Sequence, residues 1–547
     1  MVAFVFLVLV LLPQVVCKLP VAQCSIEEPL PILHQYYRSG GLLIAGIMSQ
    51  IYVTSSVMTF REPPSPELFD DFLVMTQLYQ HVVALAFAIK GINENPEILP
   101  NVTLGFHIYN SHFSPSWTYL ASMELFSRQG RFIPNYKCDT ENIPRAVIEG
   151  PNSDLGLHMA TILYMYKLPQ VIYGSHPLTD TDFHAAFLCY MFPNGAHQYV
   201  GILRLLLHFT WTWTGVLSLS DDNGERFVQN VLPVFAERGI CFDFIERFPK
   251  VTFSGEFIET VEESSELCHI IVGSTANVVI VNGEIHSIMA LRVLPNIAEI
   301  EGVPVQARAK VWIMTAQMDF ISFPFQQSWD VSFLHDALSF AVHSRDIPGF
   351  QKFIQMRNPI SEKEDGFIKD FWEVAFNCYL PHPSSDKKDG EFCTGPEQLE
   401  SLPDTVFEMS MTSHSYSIFN AIYILAHALH AMHSTKLKFR AITGGIRWEL
   451  IDQQPWQLHH FLRSVSFNNS VKEEVSFDQN GELVSGFDII NWVIFPNDSF
   501  LRVKVGKIDP QASPDKRFNI HDNTVVWPRR FNQVRSTAGC LQLFIQC

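Results

Sequence analysis

The sequence predicts an α/β protein with two lobes, each built on a parallel sheet. Short apolar runs that are typical of buried strands alternate with segments of helical period along most of the chain. This series restarts near residue 214, and longer helical segments follow residue 340. Regular strand and helix alternation favours parallel sheets with helices on both faces, so two such series indicate two lobes. Late segments that return to both lobes would make a hinged clam shell.

The first residues of the 547-residue chain resemble a secretory signal peptide. Val2 to Leu12 is continuously apolar, Pro13 follows, and small or neutral residues lead to Cys17. The run is too short to span a bilayer. We therefore predict a signal peptide at residues 1–17, followed by an N-terminal segment at 18–40.

The composition is that of a globular protein without a nucleic-acid partner. The net charge of −18 argues against nucleic acid and anionic membranes, because both require clustered Lys and Arg. No later segment reaches about 18 uncharged apolar residues, the length of a membrane helix. Glycosylation sequons at Asn101, Asn468 and Asn497 agree with passage through the secretory pathway.

The first series of predicted elements forms one lobe. In chain order they are a strand at 42–46, a helix at 72–92, a strand at 104–109, a helix at 117–128, a strand ending at residue 148, a helix beginning near residue 153, and a strand at 170–173.

Two strand ends in this series place small polar residues side by side. In an open parallel sheet, ligands bind beyond the carboxyl ends of the strands, so these ends predict a ligand site. The residues are Gly150, Pro151, Asn152, Ser153 and Asp154 after one strand, and Gly174, Ser175 and His176 after the next. Ser153 and Asp154 also fit a simpler role as helix caps.

The second series and the late segments complete the prediction. The second series has strands at 214–219, 240–244, 278–281 and 310–314, with a turn from Asp221 to Glu225 that caps a helix at 226–238. The late segments are helices at 364–376, 414–433 and 457–465, a hairpin at 475–484 with Asn480-Gly481 at its tip, and a strand pair at 487–495 and 501–507.

The ten cysteines are too few for a disulfide scaffold, but an export signal permits individual bonds. Cys378 and Cys393 bracket a polar loop, and we predict that they form a disulfide. Cys241 lies in a strand-like stretch, where we expect a buried thiol.

Neither a metal site nor catalysis is indicated. His427, His430 and His433 recur along one helix, but no Cys or carboxylate accompanies them, so we expect packing or surface histidines. The Ser153 loop is not a G-x-S-x-G elbow, and the chain has no G-x-G-x-x-G and no phosphate-binding G-x-x-x-x-G-K-S/T motif. We therefore expect neither an enzyme nor a cofactor.

Several separate blocks carry a resemblance to a known family. They are Val278-Val-Ile-Val, Lys310-Val-Trp-Ile-Met-Thr-Ala-Gln-Met-Asp319, Arg357-Asn-Pro, Phe407-Glu-Met-Ser-Met-Thr, His459-His-Phe-Leu-Arg-Ser-Val-Ser-Phe-Asn-Asn-Ser, Val475-Ser-Phe-Asp-Gln-Asn-Gly-Glu and Phe487-Asp-Ile-Ile-Asn-Trp. Together they resemble the extracellular ligand-binding region of vomeronasal type-2 receptors. These are class C G-protein-coupled receptors related to the calcium-sensing and metabotropic glutamate receptors. The resemblance covers roughly residues 25–533 and implies a Venus-flytrap fold of the periplasmic-binding-protein type I, with a multi-crossover hinge.

The resemblance implies the domain limits and the partners. Lobe 1 would comprise residues 41–199 and 342–483, lobe 2 residues 200–341 and 484–508, and a tail residues 509–547. In the family a cysteine-rich module and a seven-helix membrane domain follow, whereas this chain diverges after residue 533. Two alternatives stay open: the ectodomain of a plasma-membrane receptor, or a secreted, truncated ectodomain that acts as a decoy or dimer partner or has no function. We expect dimers through lobe 1, and a G protein as partner only if a membrane domain is present.

The resemblance also implies how a ligand is held. Amino-acid-sensing relatives bind the ligand's carboxylate with Ser and Thr at the strand-end loops, and its amine with an acidic and an aromatic residue. The matching positions here are Ser153, Asp154, Gly174, Ser175 and His176 in lobe 1, and Asn223 and Ala316 in lobe 2. Asp154 would repel a carboxylate and Ala316 leaves an ammonium unpaired, so we expect a peptide or another small polar ligand.

Overall fold

The computed structural model describes residues 34–54, 71–126, 143–175, 187–248, 257–303, 310–380, 392–394, 397–442, 454–497 and 499–527. The predicted signal peptide, His176 and the divergence after residue 533 lie outside these ranges. Within them the chain forms two α/β lobes, each organised around one large sheet.

The bounds of the elements are as follows. The strands are β1 Gln35–Arg38, β2 Leu42–Met48, β3 Ile51–Thr54, β4 Asp71–Val74, β5 Leu104–Asn110, β6 Val147–Gly150, β7 Gln170–Ile172, β8 Leu188–Tyr190, β9 Trp213–Ser218, β10 Cys241–Arg247, β11 Val278–Asn282, β12 Val311–Met314, β13 Leu338–Val342, β14 Ser466–Asn468, β15 Glu474–Ser476, β16 Phe487–Ile494, β17 Phe500–Ile508 and β18 Phe518–Ile520. The helices are α1 Tyr79–Glu94, α2 Pro115–Glu124, α3 Ser153–Met165, α4 Gly195–His208, α5 Asp222–Arg226, α6 Leu232–Glu237, α7 Phe257–Gly273, α8 Ser287–Leu291, α9 Leu294–Ile300, α10 Phe350–Gln355, α11 Ile368–Phe376, α12 Ser413–Ile442 and α13 Leu458–Leu462, with a π-helical turn at Phe227–Val231 between α5 and α6.

The sheet of lobe 1 has the order β1-β5-β2-β6-β7-β8 and is parallel except for β1. Successive side chains of a strand point to opposite faces. In β2, Ile44 packs in the same core as α1 and α12, whereas Ala45 packs in the core that contains Met159 of α3. Both faces of the sheet are therefore covered, which is why its strands are apolar throughout.

The sheet of lobe 2 has the order β10-β9-β11-β12-β13-β16-β17-β18. Strands β9 to β13 are parallel, and β16 to β18 add an antiparallel edge. In β11, Val279 faces the core formed with α7 to α9, and Ile280 faces the core formed with α4 and α6. The two sheets are thus mixed, mostly parallel sheets rather than the purely parallel ones that were predicted.

The described chain passes between the lobes after β8, after β13 and before β16. These crossings form the predicted multi-crossover hinge. The exact lobe limits given above stay a prediction.

Of two local predictions, one is incomplete and one is confirmed. The predicted helix at 72–92 begins only at Tyr79, because Asp71–Val74 pairs as a strand with Ile51–Thr54. The predicted hairpin is present: Gly481 has a φ of 82° in its turn, Phe477 bridges Leu483 antiparallel, and the N–H of Val484 donates to the carbonyl of Ser476 at 2.9 Å; β15 pairs with β14 as well. At the start of the predicted helix, a strand partner elsewhere in the chain decides the backbone pairing, which apolar spacing does not reveal.

The structure confirms one cysteine prediction and corrects another. Cys378 and Cys393 form a disulfide, as predicted. Cys241 is disulfide-bonded, so the expectation of a buried thiol is wrong. Local sequence could not show this, because a disulfide depends on which cysteine the fold brings near. Within the described ranges, every helix is too short or too polar to cross a bilayer.

A buried ion pair fixes α10 and the segment after it to the core of lobe 1. Arg357 pairs with Asp365, and its Nε donates to the hydroxyl of Tyr79 at 2.9 Å. The Tyr79 hydroxyl donates in turn to Asp365 at 2.8 Å. The side chain of Arg357 is 2% exposed and that of Asp365 is fully buried, so neither charge has water as an alternative partner.

We expect Arg357→Met to lower the free energy of unfolding by about 3–5 kcal/mol, because Asp365 would remain buried without its partner. Urea denaturation measures the change. The double variant Arg357→Met with Asp365→Asn should recover much of the loss, and Arg238→Met, at an exposed position, serves as the control. A single Arg357 variant as stable as the parent chain would contradict the assignment.

Candidate functional site

The structure brings the two predicted strand-end loops of lobe 1 into contact. The hydroxyl of Tyr173, just after β7, donates to the carbonyl of Gly150 at 2.7 Å. A Cβ at Gly174 would lie 2.3 Å from the carbonyl oxygen of Pro151, so only glycine fits at this approach. Ser175 follows and is buried. The neighbouring strand ends therefore form one continuous surface at the carboxyl edge of the sheet.

Ser153 links this surface to lobe 2. Its Oγ donates to the carboxylate of Glu284 and accepts from Nδ2 of Asn223 at 3.0 Å. Ser153 is the first residue of α3, and the N-cap is Asn152, whose side chain makes no capping hydrogen bond. The side chain of Ser153 therefore contacts the opposite lobe instead of capping its helix.

The turn that carries Asn223 has the predicted cap. The Asp221 side chain accepts from the N–H of Gly224 at 2.8 Å, which starts α5 and presents Asn223 toward lobe 1. Sequence reasoning therefore placed both Ser153 and Asn223 at the surface where the lobes meet.

Two other predicted site residues, Asp154 and Ala316, are not among the side chains described above as linking the lobes. Asp154 lies in the first turn of α3. Ala316 is 1% exposed, packs in the apolar core of lobe 2, and donates its N–H to Oε1 of Gln198 at 2.9 Å. Its methyl group offers a ligand neither charge nor a hydrogen bond.

Sequence reasoning missed Glu284. This residue follows β11, and its loop is fixed by two hydrogen bonds: the N–H of Gly283 donates to Oγ1 of Thr315 at 3.2 Å, and the N–H of Glu284 donates to Oγ of Ser287 at 3.0 Å. Glu284 is 4% exposed. The available signal was an acidic residue directly after an apolar parallel strand, the position at which ligand-contacting side chains are commonly found.

Glu149, the second missed residue, lies buried in β6 and accepts from Nε2 of Gln170 at 3.2 Å. Burial, together with the nearby carboxylate of Glu284 and against the hydrogen bond from Gln170, raises the pKa of Glu149 to about 8. Two buried acidic residues therefore lie near Ser153 that the predicted set of site residues did not include.

A chain of polar contacts runs from the strand-end loops to ion pairs between the lobes. The hydroxyl of Tyr173 lies 3.3 Å from Nδ1 of His81, whose ring centroid is 5.8 Å from that of His414. Nδ1 of His414 is 3.2 Å from Asp319. Arg502 then pairs with Asp319 at 2.5 Å and with Glu408 at 2.6 Å.

The pKa values of the groups along this series of contacts are shifted in different directions. Burial lowers the pKa of His81 to about 3, and neighbouring His414 lowers it further. Burial alone would raise the pKa of Asp319, but Arg502 and His414 hold it below its usual value. Burial raises the pKa of Glu408 to about 7 against the effect of Arg502. Asp319 is therefore the principal counter-charge of Arg502.

A second polar cluster lies at a crossing. His343, just after β13, places Nδ1 2.9 Å from Asp488 of β16 and Nε2 2.8 Å from Glu473. Asp488 also pairs with Lys504 at 2.7 Å, and Glu473 pairs with Arg345. The hydrogen bond with Asp488 raises the pKa of His343.

The histidines of α12 have packing contacts. His427 stacks on Phe467 with centroids 4.4 Å apart, and Nδ1 of His430 accepts from the N–H of Leu99 at 3.1 Å. Among the described residues, no group of three or more His, Cys, Asp or Glu side chains could hold a metal ion. Asn101, Asn468 and Asn497 are exposed, and their glycosylation stays a prediction.

Comparison with known proteins identifies relatives over most of the chain. The family model for the receptor family ligand binding region matches residues 81–494. Mouse vomeronasal type-2 receptor 26 is 27% identical over 512 residues, covering 91% of this chain and 57% of that protein. The human extracellular calcium-sensing receptor is 29% identical over 484 residues, covering 82% and 43%. Human metabotropic glutamate receptor 8 is 24% identical over 428 residues, covering 75% and 44%.

The chain therefore spans about half the length of these curated relatives. They confirm the resemblance found in the sequence, and the family confirms the expected Venus-flytrap fold. All are named receptors, which agrees with the expectation that the chain is not an enzyme.

Glu149 should make stability fall as the pH rises. Its pKa is raised in the folded chain, so between its ordinary value of 4.5 and about 8 the folded form holds a proton that the unfolded form releases. We expect Glu149→Gln to flatten this dependence and to stabilise the chain at pH 7 by on the order of 3 kcal/mol. Thermal unfolding across this pH range measures it. Glu299→Gln, at an exposed position, should leave the dependence intact, and an unchanged slope in the Glu149 variant would contradict the assignment.

Proposed function

Because the chain belongs to the family of receptor ligand-binding regions, we propose that it is the ligand-binding ectodomain of a class C chemosensory receptor, whose cleft closes on a peptide or another small polar ligand. The observation that supports this most is the contact of Ser153 in lobe 1 with Asn223 and Glu284 in lobe 2. We place the chain on the extracellular side of the plasma membrane, and coupling to a G protein would require a membrane domain beyond it.

Ligand binding would act through the equilibrium between open and closed lobes. A ligand shifts such an equilibrium only by its differential affinity for the two forms. The contacts of Ser153 with Asn223 and Glu284 exist only when the lobes are together, so a ligand that spans both sides stabilises the closed form. In a full-length receptor, that closure would be passed on to the membrane domain.

The proposed ligand residues come from both lobes and are more acidic than expected. Glu149 and Glu284 add to the set predicted from the sequence, namely Ser153, Asp154, Gly174, Ser175, His176, Asn223 and Ala316. The carboxylate of Glu284 accepts hydrogen bonds and repels anions, whereas Glu149, whose pKa is raised to about 8, holds its proton at pH 7 and adds no charge. A ligand that presents N–H groups, such as a peptide, fits this surface better than one that presents a free carboxylate.

A chimeric receptor tests the proposal. The chain would replace the ectodomain of the human calcium-sensing receptor, and calcium release in transfected cells would be recorded against synthetic peptide pools and amino acids. Responses that depend on the Ser153 surface support ligand recognition in the cleft. A chimera that reaches the cell surface and responds to none of these probes would contradict the proposal.

Ser175→Asp is the most direct variant of this chimera. It buries an additional negative charge next to the strand-end surface, and for probes that carry a free carboxylate we expect the concentration for half-maximal response to rise by roughly fivefold or more, as an unpaired buried charge costs at least about 1 kcal/mol. Ser328→Asp introduces the same charge at an exposed position and should change nothing. Equal responses from both variants would move the ligand site away from Ser175.

We also propose that lobe 1 carries a dimer surface. At the end of α3, Tyr164, Met165 and Tyr166 are 39%, 71% and 39% exposed, which is unusual for adjacent large apolar side chains. Tyr166 also stacks on Phe126 at 3.8 Å, so its ring is held in place. A preorganised apolar surface of this kind favours association.

Met165→Asp should weaken the dimer, because a charge would be buried at the centre of the surface. Light scattering coupled to size-exclusion chromatography would show a shift toward monomer. Met356→Asp, at a residue just after α10 that is 56% exposed, is the matched control. If the two variants have the same mass as the parent chain, this surface is not the interface.

A further inference from the structure

We propose that the carboxylate of Glu284 accepts the hydrogen bond of the Ser153 hydroxyl and thereby excludes ligands that would bind Ser153 through a carboxylate of their own. The inference rests on the proposed function and names the residue that determines ligand class.

The position of Ser153 is suited to a carboxylate. Ser153 opens α3, a helix of 13 residues, and the amino end of a helix carries partial positive charge. The N-cap side chain of Asn152 does not accept from this end of the helix. Glu284 supplies a carboxylate from the opposite lobe, and its partner there is the Ser153 hydroxyl.

The backbone of the loop that carries Glu284 is held in place by hydrogen bonds, which fixes the position of the carboxylate. Thr315 receives the N–H of Gly283 and donates its own hydroxyl to the Gly283 carbonyl at 3.1 Å. A Cβ at Gly283 would lie 2.6 Å from Oγ of Ser287, so the chain approaches α8 more closely than a side chain would allow. With its backbone held at two consecutive residues, Glu284 loses little entropy when its side chain reaches Ser153.

Competition follows from the chemistry of one hydroxyl. Ser153 has a single O–H donor, and Glu284 accepts it while Asn223 occupies an acceptor position at 3.0 Å. A ligand carboxylate could take this donor only after Glu284 had left. Until then it would face Glu284 in a site from which water is largely excluded, where like charges repel strongly. A neutral or cationic donor group meets no such barrier.

A double-mutant cycle tests the contact itself without any ligand. Ser153→Ala, Glu284→Ala and the double variant would be compared by thermal unfolding of the purified chain. If the contact exists, the effects of the single variants should not add, because each removes the same interaction. Strictly additive effects would overturn the inference.

Binding measurements test the competition. Calorimetric titrations would use glycine, acetate as the carboxylate alone, and methylammonium as the amine alone. We expect Glu284→Gln to bind glycine and acetate about tenfold more tightly than the parent chain, or to bind them measurably where the parent does not. Adding Ser153→Ala should reverse the gain. Glu237→Gln, which removes the same charge from an exposed position, should behave like the parent chain.

Two other results would overturn the inference. Glycine and acetate binding that is unchanged or weaker in Glu284→Gln would show that Glu284 does not compete with a carboxylate. Weaker methylammonium binding with unchanged acetate binding would instead make Glu284 the partner of a ligand amine. The chimeric receptor could fail to respond while Glu284→Gln binds glycine more tightly than the parent chain. That combination would count against the proposed receptor function and leave this inference standing.

Discussion

Charged groups that are buried between two lobes restrict how those lobes can move. Arg502 of lobe 2 lies against Asp319 and Glu408, and its guanidinium is 4.9 Å from the ring centroid of Trp492. Removing water from such charges costs several kcal/mol for each ion, and pairing offsets that cost only while the geometry is kept. Asp319 belongs to lobe 2 together with Arg502, so the pair of Arg502 with Glu408 is the one that rotation of the lobes would separate.

The same constraint connects the hinge to the cleft. His414 contacts Asp319, and its ring lies next to that of His81, which in turn lies beside Tyr173. Tyr173 bonds the carbonyl of Gly150 in the strand-end loop. A ligand that displaced this loop would therefore shift a series of packed and hydrogen-bonded groups that extends to the inter-lobe ion pairs. At the other crossing, His343 joins Asp488 and Glu473 through hydrogen bonds, so polar contacts hold the hinge on two sides.

Much of the fold was predictable from the sequence. Periodic burial defines strands and helices directly, and β2, β5, β9, β11, β12 and α12 lie where that period placed them. The Cys378–Cys393 bond was also predictable, because the two residues bracket a short polar loop. The start of α1 and the bond of Cys241 were not, since each depends on a partner supplied by distant sequence.

For the site, the sequence by itself determined which loops lie at the carboxyl edges of the sheets, and hence that Ser153 and Asn223 were candidates. Strand order and small polar residues at strand ends are local features, readable without coordinates. Only the tertiary structure decided that Glu284 reaches Ser153, that Glu149 lies buried nearby, and that Ala316 belongs to an apolar core. The reason is physical: Ser153 and Glu284 are 131 positions apart in the sequence. A contact between them depends on the relative position of the two lobes, and the local sequence pattern of each lobe does not determine that position.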